Sequence, residues 1–398
     1  LAGILVDVTR LLGRQLKGRQ ATGVDRVDLA YVEHYADRAR AVVRLAGRHW
    51  VLSQRASERV FTRLLAQRGE LPAWVAHDVG AGALAGLAEP VPAGSVYLNT
   101  GHSGLTERHA LHALRRRGLQ PVFMVHDLIP ITHHEYCREG ECARHTARMH
   151  AVLDTAATVL VNSHATAAAL ARFAADSRQP LPPVRVVPLA PGLRALGPGP
   201  RPIEAPYFLV VATIEPRKNL AFLLQVWRRL AERHRDATPR LVLIGRRGWE
   251  CENVVDLLER CEPLRGLVIE RGACPDTELS HWVQHAQALL FPSFAEGYGL
   301  PLLEALQEGT PVLASDLPVF REIAGAIPEY LDPLDGPAWL DEIEAYAATE
   351  SARRRAQLAR MAGFVAPTWA RHFAAVDELI AELQREAGAA AVAAARTA

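Results

Sequence analysis

Lysine is almost missing from this chain: among 398 residues only Lys17 and Lys218 are lysines, and arginine carries the positive charge. With heavy alanine use, that bias is the signature of a GC-rich bacterial genome, and it makes each lysine worth explaining. An excess of either charge sign is missing too. The formal net charge is +1, so no global field directs the chain to nucleic acid. No apolar run reaches the roughly 18–20 residues of a membrane span, and no secretory pattern of basic, apolar and small residues opens the sequence. The five cysteines, Cys137, Cys142, Cys251, Cys261 and Cys274, are odd in number and scattered. That excludes a disulfide framework and fits a reduced, cytoplasmic protein.

What is present is alternation. The length exceeds one ordinary domain of roughly 100–200 residues, and the pattern divides it. In the first part, Ile4–Val8, Ala41–Leu45, Val96–Asn99, Pro121–Val125 and Thr158–Val161 read as strands. The spacing predicts helices over Val24–Tyr35, Leu105–Arg117, Arg144–Asp154 and Ala165–Ala175. Pro188–Pro206, dense in proline and glycine, reads as a linker. The alternation then restarts with strands at Tyr207–Ala212, Leu241–Ile244, Leu267–Glu270, Ala288–Phe291 and Pro311–Ala314. Helices separate them at Asn219–His234, Pro275–His285, Leu300–Gln307 and Val319–Ala324. The expectation is an α/β chain with two Rossmann-like, doubly wound parallel sheets. The domains would be residues 1–190 and 207–365, with a helical tail at 366–398 packing back on the first, interrupted at Pro367. Open sheets of this kind bind ligands at the carboxyl ends of their strands, so the site is expected in a cleft faced by both domains.

Four post-strand segments carry chemistry. The richest is Phe291-Pro-Ser-Phe-Ala-Glu296-Gly-Tyr-Gly-Leu-Pro-Leu-Leu-Glu304-Ala. Gly297 and Gly299, around Tyr298, let the backbone approach a ligand closely. The helix opening at Leu300 offers unpaired N–H groups and a positive dipole end, which suit a diphosphate. Of the two carboxylates, Glu296 and Glu304, one can reach sugar hydroxyls while the other grips a ribose diol. The second, Phe208-Leu-Val-Val-Ala-Thr-Ile-Glu-Pro216-Arg217-Lys218-Asn219, sets two fixed cations where negative charge builds on a leaving diphosphate. The third, Val125-His126-Asp127-Leu-Ile-Pro130, sets a histidine after a strand. The fourth, Arg19-Gln-Ala-Thr22-Gly23-Val-Asp25-Arg26, opens a helix with Gly23. Asn99-Thr-Gly-His102-Ser103 and Gly245-Arg246-Arg247 are two further post-strand loops, the first acceptor-facing, the second with Arg246 near phosphate or base.

The first of these segments resembles the Glu-x7-Glu motif of GT-B glycosyltransferase family 4, including Pro-Ser before it and Gly309–Val312 after it. The Glu-Pro-Arg-Lys-Asn wording at residues 215–219 is similar to bacterial mannosyltransferases of O-antigen and capsule assembly. The resemblance covers nearly the whole chain and is strongest from Tyr207 to about Ile327. It implies a retaining hexosyltransferase in which the leaving phosphate helps deprotonate the acceptor. Glu296 and His126 would position the donor sugar, Glu304 the ribose, and Arg217 and Lys218 the phosphates. The family's usual arginine position is occupied by Thr213, with Arg217 as the substitute. Gly23 matches a glycine loop whose usual partner glycine is absent.

The resemblance also implies the partners. The donor substrate would be GDP-mannose, with a UDP-sugar second, and the acceptor a saccharide, free or linked to polyprenyl diphosphate, in surface polysaccharide synthesis. The enzyme would then work in the cytoplasm, with peripheral contact at the inner membrane face. No cofactor is implied. The absence of Asp-x-Asp, the pattern that holds metal in the other main glycosyltransferase fold, favours metal-independent transfer. A GT-B nucleotide-sugar epimerase or phosphorylase and a non-catalytic GT-B partner are the competing classes. Gly80-Ala-Gly82 imitates a dinucleotide fingerprint without the following acid. His133, His134, Cys137, Cys142, His145 and His150 cluster in sequence but lack zinc spacing. The arginine runs at 115–117 and 353–355 offer contact with anionic lipid, against the plainer reading of solvated helix faces.

Overall fold

The computed structural model describes residues 3–18, 22–66, 72–193 and 197–397. Arg19, Gln20 and Ala21 of the glycine-loop segment lie outside the described residues. The chain divides into two compact units.

The first unit is built on β1 (Ile4–Asp7), β2 (Ala39–Leu45), β3 (Arg48–Val51), β4 (Val96–Asn99), β5 (Gln120–Val125), β6 (Thr158–Val161) and β7 (Val184–Val186). Their order is β3-β2-β1-β4-β5-β6-β7. The second carries β8 (Tyr207–Val211), β9 (Arg240–Ile244), β10 (Val268–Arg271), β11 (Leu289–Phe291), β12 (Val312–Ser315) and β13 (Glu329–Leu331), in the order β10-β9-β8-β11-β12-β13. Central strands such as Val96–Asn99 and Thr158–Val161 are buried throughout. Continuous apolar runs of this kind are what a parallel sheet covered on both faces requires. In each sheet the winding reverses beside the first strand, between β1 and β4 and between β8 and β11, which is where open α/β sheets bind ligands. This is the doubly wound class read from the sequence.

One strand departs from that reading. β3 runs antiparallel to β2, with Val42 opposite Val51 and Leu45 opposite Arg48. Ala46 and Gly47 both take positive φ, 49° and 71°, the two-residue turn whose twist suits a hairpin. Arg48-His-Trp-Val is an edge strand with only Val51 buried, so it carries no apolar run to read. Two unread helices, Gln54–Ala66 and Pro72–Gly86, follow it. Gly82 lies in the second, where a Cβ would come within 2.5 Å of the Ala56 Cβ. That glycine therefore serves close helix packing.

In the second unit, the helix Leu220–His234 buries Leu220, Leu223, Leu224, Trp227 and Leu230 on one stripe, the spacing of a helix lying on a sheet. Trp227 is fully buried against Phe208, and its indole N–H donates to the Pro239 carbonyl at 3.0 Å. Each such large apolar side chain contributes about 1.5–3 kcal/mol on burial. The helix Gly336–Ala347 adds Trp339, Ile343 and Tyr346 to the same core.

The unit boundaries are not contiguous in sequence. The first unit comprises the described residues up to Leu128, then Ala143–Leu189 and the residues from Thr368 on. The second comprises Ile129–Cys142 and Ala190–Pro367. The domain reading of 1–190 and 207–365 is therefore corrected at 129–142 and at 190–206. The cause at 129–142 is aromatic. The Tyr136 ring stacks on Phe294 at 5.2 Å, its carbonyl accepts from the Trp249 indole N–H at 3.4 Å, and Arg138 lies 4.8 Å over the Trp249 ring.

Candidate functional site

In the second unit the chemistry collects where the winding reverses. After β8 the chain makes a short 3₁₀ turn, Pro216–Lys218, and Asn219 then adopts φ 57° before the helix begins. The Asn219 amide donates to the Pro333 carbonyl at 2.8 Å, which fixes that left-handed residue. The neighbouring strand β11 ends at Phe291, and its loop carries Ser293 and Glu296. Because β8 and β11 lie side by side, the two loops meet. The Phe294 N–H donates to the Arg217 carbonyl at 2.9 Å.

The side chains follow. Arg217 Nη1 donates to Glu296 Oε2 at 2.7 Å and to the Ala295 carbonyl at 3.1 Å. Lys218 Nζ donates to Glu296 Oε1, which also accepts from the Ser293 hydroxyl at 2.7 Å. Burial pushes the Glu296 carboxyl up, but Arg217 and Lys218 outweigh it and hold its pKa at about 2. Burial and the adjacent guanidinium draw the Lys218 ammonium down, against the pull of Glu296 and Glu215. Glu296 is therefore ionised at neutral pH.

The helix Leu300–Gln307 starts from Gly299, whose φ is 113°. A Cβ there would stand 2.8 Å from the Phe320 ring, so conformation and space both call for glycine. Leu300 is the first residue of that helix, and Tyr298, preceding Gly299, is buried. With Gly297 they form the turn that leads into the helix. Glu304 is buried one turn in, and its Oε1 accepts the N–H groups of Gly192 and Leu193 at 3.0 and 3.3 Å. After β9, Gly245 takes φ 153°, and a Cβ there would run into the Ala212 carbonyl oxygen. Arg246 is exposed, and its carbonyl accepts the Ile214 N–H at 2.9 Å, which ties this loop to the one after β8.

In the first unit, Gly23 opens the helix Gly23–Tyr35. The Thr22 N–H and hydroxyl donate to Asp25 Oδ2, each at 2.6 Å, and Arg10 and Arg14 pair with the same carboxylate at 2.7 Å. His126 follows β5 and is buried. Its Nε2 donates to the Thr100 carbonyl at 2.7 Å. A carbonyl partner requires the proton on Nε2, which leaves Nδ1 as the accepting nitrogen. Burial lowers the His126 pKa. His102, held at φ 59°, donates from Nε2 to the Met124 carbonyl at 2.8 Å, and its ring lies 5.3 Å from that of His126.

Three buried residues escaped the sequence reading. Glu215 pairs with Arg217 Nε at 2.6 Å. It stands inside the Glu-Pro-Arg-Lys-Asn wording, so only its role was unread. Ser293 lies likewise inside the Glu-x7-Glu segment. Asp28 accepts from the Thr100 hydroxyl at 2.5 Å. On the amphipathic helix Gly23–Tyr35 it had no local signal. Among the described residues no group of three histidine, cysteine, aspartate or glutamate side chains is placed to hold a metal ion. The 353–355 arginines have partners within the protein: Glu342, the Gln287 carbonyl and Glu350. No described helix is long and apolar enough to cross a membrane.

The architecture is that of a GT-B glycosyltransferase. Residues 198–326, which lie in the second unit, match the family model of Glycosyl transferases group 1. The chain is 38% identical over 140 residues to O-antigen chain mannosyltransferase B of Escherichia coli, covering 35% of each. It is 28% identical over 230 residues to the serotype-specific mannosyltransferase WbdA of Escherichia coli, covering 54% of this chain and 28% of that one. These matches span about a third of the relatives' own length. Among solved structures, sucrose-phosphate synthase from Thermosynechococcus elongatus superposes with a TM-score of 0.63 at 17% identity, covering 96% of this chain and 99% of that one. Anabaena Alr3699/HepE, in complex with UDP and glucose, gives 0.61 at 13% identity, covering 99% and 100%. At such identities the likeness is one of fold.

Proposed function

We propose that this protein transfers a mannosyl group from a nucleotide diphosphate donor, GDP-mannose before a UDP-sugar, to a saccharide acceptor in surface polysaccharide synthesis. The observation that carries the reading is the charged cluster of Lys218, Arg217 and Glu296 at the winding reversal of a group 1 glycosyltransferase domain. The similarity to O-antigen mannosyltransferases supports the sugar and the pathway class. Fixed cations and the N-terminus of Leu300–Gln307 supply the positive charge that a departing diphosphate needs, which supports transfer without a metal. Arg246 is proposed for phosphate or base, Glu304 for the ribose, and Glu296 with His126 for the donor sugar. Retention of configuration follows the family resemblance, as does an acceptor carried on polyprenyl diphosphate with peripheral membrane contact.

Calorimetric titration with GDP and with UDP, each with and without EDTA, tests the reading. GDP binding that ignores EDTA is the expected result. Preference for UDP would change the donor, and no binding of either would favour a non-catalytic partner. Replacing Glu296 with Ala should abolish turnover of the nucleotide sugar while the thermal unfolding transition remains cooperative. Retained turnover would remove Glu296 from the site.

A further inference from the structure

Arg217 is spent in a way the motif does not reveal. Its Nε pairs with Glu215 at 2.6 Å and its Nη1 with Glu296 at 2.7 Å, so one guanidinium bridges two carboxylates whose side chains are 3% and 7% exposed. It also grips the loop after β11 at three successive residues. Phe294 donates its N–H to the Arg217 carbonyl, the Ala295 carbonyl accepts from Nη1, and Glu296 takes the ion pair. Two carboxylates, Arg217 and Lys218 make a cluster whose formal charges cancel.

The two cations differ in what they can give up. If Lys218 turned to a phosphate, Glu296 would keep Arg217 and the Ser293 hydroxyl. If Arg217 turned away, Glu215 would lose the one direct ion pair it makes among the described residues and keep only the longer-range pull of Lys218. Leaving a buried carboxylate without its partner is strongly unfavourable. An ammonium on a flexible stem also re-aims more readily than a planar guanidinium held at both edges.

We propose that Arg217, anchored by Glu215, is a positioning residue that fixes Glu296 and its loop for the donor sugar, and that the charge of the diphosphate falls to Lys218 and the N-terminus of Leu300–Gln307. This rests on the glycosyl-transfer reading of the same site and reassigns one of its residues. Arg217 and Lys218 thereby separate into different tasks.

The test uses the full chain and four variants: Arg217→Lys, Glu215→Gln, the double variant Glu215→Gln/Arg217→Gln, and Lys218→Ala. GDP and UDP affinities are measured by calorimetry, and turnover as release of nucleoside diphosphate from the nucleotide sugar across pH. The single variants at 215 and 217 should lower kcat about tenfold or more while leaving the nucleoside diphosphate Kd within about twofold. In the double variant, which removes the guanidinium, the acid limb of the pH profile should move up, since Glu296 loses a cation that stabilises its ionised form. Lys218→Ala should weaken the same Kd about tenfold. If Arg217→Lys weakens nucleotide binding as much as Lys218→Ala, Arg217 is a phosphate ligand and the proposal falls. The double variant, which strands no charge, keeps the test open should a single variant unfold. If the unmodified protein binds neither nucleotide, the functional reading fails on its own. The brace is then judged by urea unfolding monitored by circular dichroism, where Glu215→Gln should lower the midpoint by removing the Arg217 ion pair, and an unmoved midpoint would overturn it.

Discussion

At the scale of single residues, the first unit holds a carboxyl group in an unusual state. Burial pushes Asp28 up from 3.8 to about 7, against the lowering effects of the Thr100 hydroxyl and Arg10, with Asp25 and Asp7 adding to the rise. Asp7 is raised to about 6, again by burial. Each binds its proton more tightly when folded than when unfolded. Stability should therefore fall as pH rises from about 3.8 to about 7. Asp28→Asn should flatten that slope, leaving the smaller part due to Asp7. Denaturant unfolding at a series of pH values measures it, and an unchanged slope would show that Asp28 ionises normally. The same residue is linked to His126, because Thr100 donates to Asp28 and its carbonyl accepts from His126. The acid side behaves oppositely at Glu296. Its pKa of about 2 makes a stability contribution present above 4.5 that disappears as pH falls through 2.

At the scale of elements, the loops after β8, β9 and β11 are held by backbone as much as by side chains. Gly245 sits where the loop after β9 crosses the end of β8, and a Cβ would meet the Ala212 carbonyl, an atom that cannot rotate away. Gly245→Ala should cost about 2 kcal/mol or more in unfolding free energy. It should also weaken nucleotide binding, since the loop that carries Arg246 must shift. Gly299→Ala faces the Phe320 ring instead, a side chain with some freedom, and should cost less. Comparing the two by urea denaturation checks that ranking. Equal costs would mean that the positive φ at both positions outweighs the collision.

At the scale of the whole chain, the last helix, Trp369–Thr397, closes the first unit instead of extending the second. Phe373, Val376, Leu379, Ile380 and Leu383 are buried. His372 donates from Nδ1 to the Pro188 carbonyl and accepts from the Tyr31 hydroxyl at Nε2, each at 2.9 Å. Asp377 accepts from Tyr35 and Arg38 at 2.9 and 3.0 Å. The Phe373 ring stacks on His34 at 4.0 Å. Phe373→Ala should destabilise the first unit by about 3 kcal/mol or more, seen as an earlier melting transition with nucleotide binding in the second unit retained. A single unshifted transition would mean that the helix contributes little to that core.

Sequence alone determined the elements whose signal is local. The apolar runs that became β1, β4, β6 and β11 were legible within a residue or two, and the helix Leu300–Gln307 was legible to the residue. So were the post-strand motifs, since a strand end, a glycine turn and a helix start are encoded within about fifteen neighbouring positions. Arg48–Val51 was not legible, because an edge strand needs no apolar face. Nor was the membership of Ile129–Cys142, which rests on Tyr136 finding Phe294 far along the chain. The tertiary structure alone decided the pairings. Arg217 and Glu296 lie 79 residues apart, and they meet because the winding reverses and sets β8 beside β11. Whether a cation is available for a ligand or committed to a buried carboxylate depends on which strands are neighbours, and no local pattern encodes that.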